Sequence, residues 1–130
     1  MAKWHITSNG RKTQKRAVPW RLVSFRGPNG GEARGVVDIV AIRKNHKLDD
    51  GAVRRGDYLD IVLIQTKGGG AARPTVEDAV RMRAVMRRHR AKRAVYAHWR
   101  PGNGVTWYRL ARAGARDPWP KLEDWRTIFK

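Results

Sequence analysis

The chain has 130 residues and carries 29 lysine and arginine residues against 11 aspartate and glutamate residues, a formal net charge of +18. Hydrophobic residues make up 41% of it, which is enough to bury a core, and the length favours one domain over two. Because there is no cysteine, disulfides, thiolate metal sites and cysteine nucleophiles are excluded.

The N-terminal part of the chain differs in pattern from the rest. Residues 1–19 show no helical or alternating apolar period, and we interpret them as a basic arm that precedes a single domain over residues 20–130. The basic residues assigned to this arm are Arg11, Lys12, Lys15 and Arg16. The domain opens with a predicted strand at 20–25, followed by a glycine-rich turn cluster.

Two further strands are predicted before any helix. Residues 35–42 are apolar except for Asp38, and residues 43–57 form a polar loop or hairpin tip. Residues 58–67 are apolar on both faces until the end of the segment, a pattern typical of a sheet that is covered on both sides. Three consecutive glycines then end the third strand.

A helix and a hairpin complete the predicted domain. Thr75 is a suitable N-cap for a helix over residues 76–91. Its predicted apolar stripe consists of Val76, Ala79, Met82, Val85 and Met86. Residues 94–99 and 105–110 form a hairpin, and a short amphipathic helix ends the chain. This order predicts an α/β fold with a mixed sheet of about five strands, one main helix after the third strand and a short C-terminal helix.

Polar residues interrupt two otherwise apolar strands. A carboxylate at Asp38 costs several kcal/mol of desolvation unless it is paired, hydrogen-bonded or bound to a metal. Gln65 and Lys67 fall on one face at the end of the third strand, because side chains alternate along a strand. A hard divalent cation prefers oxygen ligands, which Asp38, the Gln65 side chain and the Thr66 backbone carbonyl can supply. Lys67 would then orient a water molecule or stabilise charge on a phosphate.

The segments Gly35-Val-Val-Asp-Ile-Val-Ala-Ile42 and Asp60-Ile-Val-Leu-Ile-Gln-Thr-Lys-Gly-Gly69 together resemble the PD-(D/E)XK nuclease superfamily, which includes restriction endonucleases and Holliday-junction resolvases. The resemblance covers roughly residues 20–110. It implies a restriction-endonuclease-like core, with Asp38 as the metal-binding aspartate, Gln65 at the (D/E) position and Lys67 as the motif lysine. Glutamine at the (D/E) position is a recognised variant of the motif.

The resemblance also implies a cofactor and an activity. We expect a Mg²⁺- or Mn²⁺-dependent endonuclease that acts on DNA rather than RNA, and small members of this superfamily suggest a homodimer. The absence of cysteine fits a protein of the cytoplasm. Glu32, in the turn cluster, is either a turn residue or an additional metal ligand. Neither the apolar runs nor the residues after Met1 predict a membrane span or a signal peptide.

The net charge points to a polyanionic partner, and nucleic acid is favoured over a membrane surface because the basic residues are spread along the chain. The arginines of the predicted helix lack matching acids, which favours contact with phosphates over a merely solvated face. They are Arg81, Arg83, Arg87, Arg88 and Arg90.

Several other interpretations stay open. Asp38 can instead form a buried ion pair with Arg34 or Lys67. Asp60 faces away from Gln65 and suits a strand start or a turn, while His98 is assigned to the core or the surface. The whole protein can also be a degenerate nuclease fold that only binds DNA or RNA, or a basic structural protein of a ribonucleoprotein.

Overall fold

The computed structural model describes residues 18–25, 35–70 and 73–130. These residues form one open, mixed five-stranded sheet with strand order β1-β2-β3-β4-β5, one α-helix and one 3-10 helix. The elements in chain order are β1 (Arg21–Ser24), β2 (Ile39–Asn45), β3 (Tyr58–Gly68), α1 (Val76–His89), β4 (Arg93–Arg100), β5 (Gly104–Arg109) and the 3-10 helix (Trp125–Phe129). The α/β class and the element order predicted from the sequence are confirmed.

The strand pairing explains why the only α-helix of the described residues lies where it does. β1, β2 and β3 form an antiparallel meander, whereas β3 and β4 are parallel and need a crossover, which α1 provides. Thr75 caps α1 as predicted: its hydroxyl accepts from the Asp78 amide at 3.1 Å, and the Asp78 carboxylate accepts from the Thr75 amide at 3.0 Å. No described helix has both the length and the apolar character that crossing a membrane requires.

The sheet is covered on both faces, as the apolar character of β3 predicted. One face packs against Trp20 and the C-terminal residues Ile128 and Phe129. The other face packs against α1 through Ala79 and Met82, and against Trp119. Alternation along β3 divides its residues between the two cores, with Val62 and Ile64 on the first face and Leu63 on the second.

The C-terminal segment also covers the outer edge of β5. The Arg109 amide donates to the Pro120 carbonyl at 3.0 Å, and the Leu122 amide donates to the Trp107 carbonyl at 2.8 Å. A further hydrogen bond joins the Ala111 amide to the Pro118 carbonyl at 2.9 Å. This segment thus provides a short sixth line of backbone pairing beside the sheet.

Two details of the prediction are wrong. Asp38 was placed inside a strand, but β2 begins one residue later, because Asp38 uses its own amide and carboxylate to reach two different residues of β3. Val76 was assigned to the buried stripe of the helix, but it is 66% exposed. It occupies the first position of α1, where the helix starts beyond the apolar surface that Ala79 and Met82 cover.

Asp60 lies near the start of β3, on the face opposite to Gln65 by strand alternation, and forms a buried ion pair. Its Oδ2 lies 3.3 Å from Nε of Arg43, and its Oδ1 accepts from the Asn45 amide group at 3.2 Å. The Arg43 guanidinium stacks on the Trp20 ring at 4.3 Å and donates to the Phe129 carbonyl at 3.4 Å. This pair therefore ties β2 and β3 to the C-terminal residue cluster.

Replacement of Asp60 by alanine is expected to lower the free energy of unfolding by about 3 kcal/mol, because it leaves a largely buried guanidinium without its carboxylate. Urea denaturation followed by circular dichroism measures the change. Asp49→Ala, at an exposed loop carboxylate, serves as the control and should stay within about 0.5 kcal/mol of the wild type. Equal stabilities for the two variants would contradict a structural role for the Asp60–Arg43 pair.

Candidate functional site

Asp38 lies immediately before β2, next to the end of β3. Its amide donates to the Ile64 carbonyl at 2.9 Å, and its carbonyl accepts from the Phe25 amide at 3.0 Å. The carboxylate Oδ2 accepts from the Thr66 amide at 2.8 Å and from the Thr66 hydroxyl at 3.4 Å. Asp38 is therefore anchored to β3 on both sides of Gln65, with its carboxylate half-buried.

Gln65 is a buried polar residue with an unusual environment. Its side chain is 7% exposed, and within the described part of the chain its Oε1 accepts no hydrogen bond. Gln65 lies between Ile64, whose carbonyl accepts from the Asp38 amide, and Thr66, whose amide donates to the Asp38 carboxylate. Leaving a buried acceptor unpaired costs about 1–3 kcal/mol, and folded proteins seldom do so without a ligand or a functional reason.

Lys67 completes the set of polar residues at this end of β3. It lies on the same face as Gln65 by strand alternation, and it is exposed. The three ion pairs found among the described residues include neither Lys67 nor Asp38. The predicted alternative, an ion pair between Asp38 and Lys67, is therefore not formed, and Arg34 lies outside the described residues.

The turn after Lys67 is held to β4 by two hydrogen bonds. The Gly69 amide donates to the Trp99 carbonyl at 2.9 Å, and Nε2 of His98 donates to the Gly69 carbonyl at 3.0 Å. Gly69 has a φ of 62°, a left-handed conformation that favours glycine at this position. His98 is 1% exposed and is the register partner of Lys67 in β4. His98 is thus a core residue, which was one of the two interpretations of the sequence. Its hydrogen bond to Gly69 fixes the end of β3.

Tyr96 of β4 is the register partner of Gln65, so an aromatic residue lies next to Gln65 in the neighbouring strand. It is fully buried, with ring contacts to His98, Tyr108 and Trp119 at centroid distances of 6.0, 5.8 and 6.2 Å. Burial raises the pKa of the Tyr96 phenol above its usual value, and the proximity of Tyr108 and Asp78 adds to the effect. Since the group is neutral in the ordinary pH range, it adds no charge beside Gln65.

The structure therefore brings together the three residues predicted to be catalytic, Asp38, Gln65 and Lys67, with Thr66 between the last two. They lie at one end of β3. Asp38 offers a carboxylate, Gln65 an amide oxygen without a partner, and Lys67 an ammonium group. Among the described residues, no group of three or more His, Cys, Asp and Glu side chains comes together.

The predicted nucleic-acid-binding arginines of α1 separate into two groups. Arg83 donates to the carbonyls of Ala111 and Arg112 at 3.1 and 3.3 Å, so its side chain connects α1 to the segment after β5. The others are exposed: Arg87 and Arg90 line a groove together with Arg83, while Arg81 and Arg88 do not line it.

Some predicted site residues lie outside the described residues. Glu32 belongs to this group, and so does the basic arm with Arg11, Lys12, Lys15 and Arg16. Their assignments remain predictions.

Sequence reasoning missed the Arg43–Asp60 pair and the contact between His98 and Gly69. One signal was available for His98. Alternation places it on the same face of β4 as Tyr96, and a parallel β3–β4 pair would then bring it level with the end of β3.

Comparison with known protein families finds no family model that matches the chain, and comparison with curated proteins finds no match either.

Proposed function

We propose that this chain is a Mg²⁺- or Mn²⁺-dependent endonuclease that acts on DNA in the cytoplasm and has a restriction-endonuclease-like core. The observation that carries the proposal is the buried, unpaired Oε1 of Gln65, whose neighbour in the sequence, Thr66, binds the Asp38 carboxylate through its amide. The net charge of +18 supports a polyanionic substrate. The antiparallel pair β2–β3, followed by α1 and the parallel strand β4, agrees with what the resemblance implies.

The residues fit a hard divalent cation, because Gln65 presents an oxygen that the fold itself leaves without a partner. Asp38 would be the principal ligand, Gln65 a weaker ligand or water positioner, and the Thr66 carbonyl and Glu32 additional ligands. When bound, the cation would polarise a phosphate oxygen and lower the pKa of an attached water molecule.

The remaining roles belong to the chain itself. Thr66 fixes the Asp38 carboxylate through its amide, so the ligand is oriented before substrate arrives. Lys67 is exposed, and within the described chain it forms no ion pair, so its ammonium group can approach a phosphate and stabilise the negative charge that builds on it during cleavage. Gly69 accepts a hydrogen bond from His98 and donates one to the Trp99 carbonyl. These two bonds fix the turn after Lys67 and thereby limit the movement of the Lys67 backbone.

A second candidate is a protein that binds DNA without cutting it. The neutral side chain at position 65 favours it, because a carboxylate there would add one negative charge to hold the cation.

The first experiment incubates labelled linear duplex, single-stranded and four-way-junction DNA with the protein in Mg²⁺, Mn²⁺ or EDTA. Cutting that requires metal supports the nuclease and identifies the shape of its substrate. Tight binding without cutting in either metal would leave only the binding function.

Gln65→Leu tests the residue that carries the proposal. In EDTA we expect this variant to be more stable than the wild type by about 1 kcal/mol, because leucine removes an unpaired buried acceptor. In Mg²⁺ we expect its cleavage rate to fall. Thermal unfolding and a cleavage assay measure the two effects. A variant that is less stable in EDTA and cuts DNA as fast as the wild type in Mg²⁺ would mean that Gln65 has a structural role only.

A further inference from the structure

The described residues also form a basic groove, at the end of the sheet opposite to Asp38. It has a volume of about 770 Å³, and its walls come from the end of α1, the start of β3 and the segment after β5. Five cationic side chains line it: Arg83, Arg87, Arg90, Lys92 and Arg112.

Two of the five cations have oxygen partners within the described chain: Arg83 donates to the Ala111 and Arg112 carbonyls, and Lys92 donates to the Lys130 carbonyl at 3.5 Å. None of the three ion pairs among the described residues includes any of its five cations. The one carboxylate among its lining residues, Asp60, is 4% exposed and already pairs with Arg43. The partial negative charge at the C-terminus of α1 amounts to about half an elementary charge, so it offsets only a small part of the total. The groove therefore favours an anion with several charges.

Arg90 is a second observation that points the same way. It caps α1 in a left-handed conformation with a φ of 53°, and it is the only described residue other than glycine with a positive φ. Glycine is the usual residue at such a helix end, because a side chain there is strained. An arginine that lines the groove at this strained position indicates a role for its side chain in binding.

The position of the groove relates it to the proposed catalytic residues. Tyr58, the first residue of β3, lines the groove, and Lys67 lies nine residues further along the same strand. At about 3.3 Å per residue this separation is about 30 Å. Phosphates along one DNA strand are about 3.4 Å apart along the helix axis, so about nine base pairs span the distance.

We propose that the basic groove is a second phosphate-binding site. It holds the DNA backbone about nine base pairs from the phosphodiester bond that is cleaved at Asp38 and Lys67. The inference rests on the proposed function for the identity of the ligand. It predicts that duplexes long enough to reach both sites bind more tightly than shorter ones.

Two double variants that each remove two positive charges test the proposal. Arg87→Gln with Arg112→Gln alters the groove, and Arg54→Gln with Arg55→Gln alters two exposed arginines of the loop between β2 and β3 that do not line it. Fluorescence anisotropy in EDTA measures binding to hairpin duplexes of about 7 and about 14 base pairs, on either side of the expected span. Titration at several salt concentrations gives the dependence of log K on log[salt] for each protein.

We expect the groove variant to lose the preference for the longer duplex, and the slope of its salt dependence to fall by about 1.8, or about 0.9 for each phosphate contact. The comparison variant should keep the preference for the longer duplex. Equal losses in the two variants, or no length preference in the wild type, would overturn the proposal. Because binding is measured without metal, the groove can be confirmed even where cleavage is absent, and refuted where cleavage is present.

Discussion

Replacement of Lys67 by methionine should lower the rate of DNA cleavage by about 100- to 1,000-fold, the usual cost of removing one group that stabilises charge in a transition state. Folding should change little, because Lys67 is exposed and forms no ion pair within the described residues. DNA binding should also change little, because Lys67 is one of 29 lysine and arginine residues. The loss should therefore fall on the chemical step. Single-turnover cleavage at saturating protein measures this step separately from binding.

The matched control for this experiment is Lys121→Met, at another exposed lysine of the described chain. It removes the same charge and should cleave at the rate of the wild type. Lys67→Arg keeps the charge and should recover part of the lost activity. If Lys67→Met cuts DNA as fast as Lys121→Met, the ammonium group has no part in the reaction.

The second large effect is expected at Asp38. Asp38→Asn keeps an oxygen that can accept from the Thr66 amide, so the local backbone should be preserved, while the negative charge of the proposed principal ligand is lost. The stability that Mn²⁺ adds to the wild type, about 2.7 kcal/mol when the free metal is at 100 times its dissociation constant, should therefore disappear. Thermal unfolding in Mn²⁺ and in EDTA measures it.

Asp49→Asn, at an exposed loop carboxylate, is the control and should respond to Mn²⁺ as the wild type does. Two results would argue against the assignment of Asp38 as a ligand. A full response of Asp38→Asn to Mn²⁺ would place the cation elsewhere. A large loss of stability in EDTA alone would show that the carboxylate serves the fold through Thr66.

The order and type of the elements could be predicted because each leaves a local pattern. β3 is apolar on both faces, and Thr75 with Asp78 gives α1 a capping box within four residues of sequence. The exposure of Val76 could not be predicted in this way, because a helical period shows which side is apolar but not how far the neighbouring sheet extends.

The site was predictable in part for the same reason. Alternation is a local rule, so the prediction that Gln65 and Lys67 share one face needs only that β3 is a continuous strand, which it is over Tyr58–Gly68. The place of Asp38 before β2, and its hydrogen bond to Thr66, depend on how strands far apart in sequence meet. Whether the side-chain oxygen of Gln65 finds a hydrogen-bond donor likewise depends on the residues of the neighbouring strands. The sequence of β3 alone does not show this.

The segment that follows β5 has a consequence for self-association. An uncovered strand edge can recruit another chain, but the outer edge of β5 already bonds to the backbone of Pro118, Pro120 and Leu122. On the far side of this segment, the Trp119 amide already donates to the Asp117 carboxylate at 3.0 Å. Among the described strands, a homodimer that extended the sheet would therefore join through β1, which is only four residues long. The same segment contributes Ile128 and Phe129 to the core on one face of the sheet and Trp119 to the core on the other. Its detachment would therefore expose the unpaired edge of β5 and apolar surface together.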